Sequence, residues 1–133
     1  MKIITLEQLI AKNDTVVERV EVSEWESSVF VRRLNGKDAS EWDSIIEGRT
    51  KVMPQPDGTN KVDVNIRGLA CEFVALCLCD ENGEPWADTL AKRVELIKVL
   101  SSKSDLAIKR IELAATRING MDAETREKQK SGN

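Results

Sequence analysis

Residues 65–80, NIRGLACEFVALCLCD, constrain the fold more than any other stretch of the chain. Ile66, Leu69, Ala70, Phe73, Val74 and Cys77 recur at three- and four-residue steps and fall on one face of a helix. Leu76 and Leu78 widen that apolar arc beyond a single stripe. A helix of this kind has to be touched on more than one side, so the other elements must be arranged round it. A chain of 133 residues supplies one domain with a modest core for that purpose.

The flanking segments read as further short elements. Thr5 and Gln8 form a capping-box pair ahead of Leu6, Leu9 and Ile10, which predicts a helix over residues 6–12. Val16, Val20 and Val22 share one parity, Val29 and Val31 another, and the polar residues 23–28 separate them. This predicts an antiparallel hairpin with Trp25 near its turn, one face of which must lie on helices. Asn35 caps a helix bearing Asp38, Ala39, Trp42, Ile45 and Ile46, with Gly48 as its stop. Periodicity then lapses, and residues 49–63, with Pro54, Pro56 and an Asp57-Gly58 turn, read as a flexible loop. Beyond the central helix, Asp88 is the expected cap of a helix turning Leu90, Val94, Ile97 and Leu100 inward. Ser102 and Asp105 open a last helix with Ala107, Ile108, Ile111, Ala114, Ala115 and Ile118 inward, closed by Asn119-Gly120. The fold class is therefore mainly α with a small antiparallel β-hairpin near the N-terminus, an α+β arrangement with a core of four to five helices. It forms a single domain over residues 1–121, followed by a disordered tail over 122–133.

Charge and residue usage exclude several kinds of chemistry. The net charge of −3, with 20 basic residues diluted by 23 acidic ones, does not make the basic field that nucleic acid requires. No apolar run reaches the roughly 20 residues that span a bilayer. In the opening MKIITLEQLIAKND, Glu7 and Gln8 break the apolar run, and it reads as a helix of a cytosolic protein rather than a secretion signal. The chain has no histidine, which removes the usual general base near neutral pH and the commonest metal ligand together. Cys71, Cys77 and Cys79 are spaced C-x5-C-x-C; on one continuous helix Cys71 and Cys79 point away from Cys77, so they read as core thiols. Asp80, Glu81 and Asp88 are explained by a polar turn and a helix cap. The sequence calls for no cofactor and no metal, and describes a non-catalytic interaction protein.

The candidates for contact with a partner follow from this reading. Trp25, Trp42 and Trp86 are three of only five aromatic residues, and tryptophan is enriched in protein interfaces. Arg32 and Arg33 end the second strand, where a cationic pair is either solvated or anchors an acidic group. Leu76 and Leu78 supply the spare apolar width of the central helix. Monomer, dimer and larger homo-oligomer are all compatible with the sequence.

Two stretches resemble a known family. VEVSEWESSVFVRRLNGKDASEW is similar to the N-terminal signature of the tail assembly chaperones of long-tailed bacteriophages and prophages. There, a V-x-V-P-E-W-G-G turn leads into V-x-V-R-x-L-x-G and a helix. LACEFVALCLCDENGEPWAD resembles the family's hydrophobic helix followed by C-D-E-x-G-x-x-x-F, and RINGM its closing segment. Trp25, Val31, Arg32, Leu34 and Gly36 carry the first motif; Leu76, Cys77, Asp80, Glu81, Gly83 and Trp86 carry the second; Asn119 and Gly120 close the pattern. Ser23 stands where the family has proline, and Glu26-Ser27 where it has glycines. The resemblance runs from about residue 16 to 121. It implies an assembly factor of the host cytoplasm that holds the tape measure protein while tail tube subunits polymerise, and that is absent from the finished virion. The tail tube protein is a second candidate partner. The alternative is a virion component, a head–tail connector or minor tail protein.

Overall fold

In the computed structural model, which describes residues 1–122, the central helix is shorter than its apolar run. Helix α3 spans Leu69–Cys77, and Leu78–Cys79 turn extended to form a two-residue strand, β5. Leu78 and Cys79 pair antiparallel with Val31 and Phe30 of the N-terminal hairpin. Backbone pairing there outweighs two further residues of helical periodicity, and it puts Cys79 on a strand rather than on the helix of Cys77.

The hairpin is formed as the alternation requires. Strand β1 (Val17–Val22) pairs with β2 (Ser27–Arg32) in a register running from Val17 opposite Arg32 to Val22 opposite Ser27. A single 3-10 turn, Ser23–Trp25, joins them, and Glu26 leaves it in the left-handed region at φ 50°. The sheet order is β1-β2-β5, so β1 is an edge strand. Val20, Val22, Val29 and Val31 are buried with Phe73, Val74, Leu76 and Leu78, and with Ala107, Ile108, Ile111, Ala114 and Ala115 of helix α5 (Asp105–Ile118). Helix α5 lies across β1 and β2, and α3 packs on both α5 and α4 (Leu90–Ser101). The expected mainly α fold with an N-terminal hairpin is thus the observed one.

Cap chemistry accounts for most boundaries. At α1 (Leu6–Ala11) the Thr5 hydroxyl accepts from the Gln8 N–H, and the Gln8 side chain accepts from the Thr5 N–H, which completes the capping box. Asn35 caps α2 (Gly36–Arg49) by accepting from the Asp38 N–H at 2.9 Å. Two caps differ from expectation by a residue or two. Thr89, not Asp88, caps α4, while Asp88 pairs with Lys92 one turn on. Ser104, not Ser102, caps α5. Helix α2 also passes Gly48 and ends at Arg49.

The expected loop over 49–63 is a second hairpin. Strands β3 (Thr50–Pro54) and β4 (Asn60–Val64) pair antiparallel, with Val52 opposite Val62. Its turn is built by Gly58 at φ 85° and by Asp57, whose carboxylate accepts from both the N–H and the hydroxyl of Thr59. The prolines hid this element: Pro54 ends one strand and Pro56 lies in the turn, where neither has a ladder bond to lose. Residues 123–133, and with them all but the first residue of the expected disordered tail, lie outside the described residues.

Candidate interaction surface

Four of the motif residues, Arg32, Leu34, Leu76 and Asn119, meet at one junction where β2, α2, α3 and α5 come together. Arg32 is buried; its Nη1 donates to Asp38 Oδ2 at 2.8 Å and its Nη2 to the Leu76 carbonyl at 2.8 Å. The carbonyl it reaches is freed because α3 is about to end. Asn119, just past α5, answers from the other side. Its Oδ1 accepts from the Leu34 N–H at 2.8 Å, and its Nδ2 donates to the carbonyls of Arg32 and Ala115. Arg33, exposed beside Arg32, donates to the Ile118 carbonyl. Such a junction holds because every partner is fixed by a separate element; removing one leaves a charge or a backbone group buried and unmatched.

The second motif is a turn clamped onto the start of β1. The Asp80 carboxylate accepts from the N–H groups of Asn82 and Glu84, and the Asp80 N–H donates to the Glu84 carbonyl. Gly83 has φ 85°, and a Cβ there would come within 2.6 Å of Thr15 Cγ2. Both its left-handed backbone and this close approach require glycine. The Trp86 N–H then donates to the Leu78 carbonyl, which holds the exit of the turn against β5.

The thiols belong to the packing. Burial pushes Cys77 up to about 12, with the Arg32 cation partly opposing it, and Cys79 up to about 11 for the same reason. Asn119 Nδ2 lies 3.8 Å from Cys77 Sγ. Cys71, on α3, is half-buried. Among the described residues no group of three or more Cys, Asp or Glu is placed to hold a metal ion.

Four of the seven candidate contact residues therefore face inward. Leu76 and Leu78 are 4% and 0% exposed, so the spare width of the central segment is consumed by the sheet and α5 rather than offered to a partner. Trp42 is buried with its ring centroid 4.8 Å from that of Phe73. Arg32 is neither solvated nor free to meet an acidic partner. Trp25 is half-buried on the core from its 3-10 turn. Only Trp86, at 49% exposure, and Arg33 present themselves to solvent.

The outward apolar surface lies elsewhere. Leu90 and Val94, one turn apart on α4 and expected inside, are 66% and 44% exposed. They follow directly on Trp86. On α1, Leu6, Leu9 and Ile10 are all exposed and no residue of the helix is buried. On the second hairpin, Val52 and Val62 are exposed as a cross-strand pair. Arg49 fixes the base of that hairpin, pairing with Glu72 of α3 and donating to the Asn65 and Arg67 carbonyls. Beside it, Ile66, Leu69, Phe73 and Met121 line a shallow cleft of about 310 Å³ with Trp42. The signal missed in the sequence is the excess of apolar positions on α4. Leu90, Val94, Leu96, Ile97, Val99 and Leu100 span too wide an arc for all to pack, yet of these only Leu100 is buried.

Among the described residues no helix is long and apolar enough to cross a membrane. Comparison with models of protein families, with curated proteins and with solved structures gives no match to this chain.

Proposed function

We propose that this chain is a non-catalytic tail assembly chaperone of a long-tailed phage or prophage, acting in the host cytoplasm on the tape measure protein. The observation that carries the reading is the ordered set of motifs around Trp25, Asp80-Gly83 and Asn119-Gly120. Arg32, Leu34, Leu76 and Asn119 of these motifs are joined by hydrogen bonds into one framework, and Asp80 closes its own turn beside β5. Outside that framework Trp86 is half-exposed, and Leu90 and Val94 are exposed one turn apart on α4, the helix that also carries Lys92 and Lys98. A holdase needs such a surface: apolar contact to cover a helical client, and modest total area so that polymerising subunits can displace it.

Co-expression with the tape measure protein encoded beside it, followed by affinity capture, tests the proposal. A stable complex is expected, and capture of neither end of that partner contradicts it. Stoichiometric presence of the chain in purified particles would instead favour a virion component.

A further inference from the structure

The outer edge of β1 is open and carries a charge pattern that matches itself. The Arg33 N–H donates to the Val16 carbonyl at 2.9 Å, which fixes the alternation of the ladder. Val16, Glu18, Val20 and Val22 turn their backbone groups toward β2, and Val17, Arg19 and Glu21 turn theirs outward. No hydrogen bond from another described residue reaches those outward groups, and Arg19 and Glu21 have no ion-pair partner among the described residues. Open grooves of about 470 and 390 Å³ run along this edge, between Arg19 and Glu21 on one side and Arg110 of α5 on the other.

We infer that this edge pairs with the β1 edge of a second copy, joining two three-stranded sheets about a two-fold axis. Antiparallel pairing requires outward-facing residues to meet outward-facing residues. For a six-residue strand this leaves two registers of greatest overlap. In one, Arg19 lies opposite Arg19 of the partner copy, and Val17 lies opposite Glu21. In the other, Arg19 lies opposite Glu21 and Glu21 opposite Arg19, with Val20 on the axis. Like charges directly opposite each other oppose pairing and unlike charges support it, so the second register is selected. An isologous contact of this kind closes on itself as a dimer and removes an edge that would otherwise template indefinite association. The inference is independent of the identity of any client.

Charge exchange at the two positions tests it. Neither side chain makes an ion pair among the described residues, so the variants should keep the fold, as circular dichroism and thermal melts will check. Sedimentation equilibrium of the full chain should give a dimer. Arg19→Glu alone and Glu21→Arg alone place like charges opposite one another and should each weaken the dimer by about tenfold or more. An equimolar mixture of the two single variants should recover a heterodimer, because an all-acidic edge then meets an all-basic one. The double exchange R19E/E21R should recover a homodimer. A monomeric wild type, single variants as dimeric as the wild type, or a mixture that stays monomeric would each overturn the proposal.

Discussion

The junction around Arg32 and the outer face of α4 are built from the same kinds of residue and are used in opposite ways. At the junction, Val31, Cys77 and Leu78 are wholly buried near a guanidinium held by a carboxylate and a carbonyl. On α4, Leu90 and Val94 point to solvent although their spacing is that of an inward stripe. Apolar periodicity thus marks surfaces that will be covered without saying by what. The inner set is covered by the chain itself and fixes the fold; the outer set stays exposed and, under the proposed function, is where a client would bind.

The two regions should differ most at the junction. Arg32→Ala should lower the stability of unfolding by about 3 kcal/mol, because it strands Asp38 and the Leu76 carbonyl. Arg33→Ala, next in sequence but exposed, should cost under about 1 kcal/mol. Denaturant titration of the two variants checks both, and similar losses would refute the assignment of Arg32 to the interior. A second test lies at the clamp on β1. Gly83→Ala should cost about 2 kcal/mol, since the new methyl meets Thr15 while the backbone stays left-handed.

A gain is expected at the hairpin turn. Glu26 sits at φ 50° with no hydrogen bond from its side chain to another described residue, in one of two places where the resembling motif has glycine. Glu26→Gly should therefore raise stability by about 1 kcal/mol, read as a higher melting temperature. The thiols give the finest contrast. With Cys77 raised to about 12 and Cys79 to about 11, neither is ionised at neutral or mildly alkaline pH, and both are sealed from reagent. Native protein should expose one reactive thiol, Cys71, to a disulfide reagent, and all three only after unfolding.

Legibility in the sequence followed the locality of the physics. Thr5 with Gln8, and Asn35 with Asp38, are decided within a few residues, and both caps stand where the sequence puts them. The alternation of Val16–Val22 and Val29–Val31 was likewise enough for the first hairpin. The switch of Leu78 and Cys79 from helix to strand was not legible, because the deciding partner, β2, lies more than forty residues away. The same holds for Arg32, whose second partner, the Leu76 carbonyl, is equally remote in sequence. The second hairpin was hidden for a different reason. Its prolines and its glycine suggested a loop, while the Val52–Val62 pairing that organises it is weak in isolation. Of the candidate contact residues, Trp86 could be recognised from its turn, but Leu90 and Val94 could not, since no pattern distinguishes the covered side of an over-apolar helix.

Under the proposed function the outer face of α4 serves a partner and not the fold. The most direct measurement is the affinity of the full chain and of its L90S/V94S variant for the tape measure protein, taken beside their unfolding curves. Expected are binding by the wild type, at least about tenfold weaker binding by the variant, and unfolding free energies within about 1 kcal/mol of each other. Equal binding by the two proteins, or a variant that unfolds far more easily than the wild type, would contradict it.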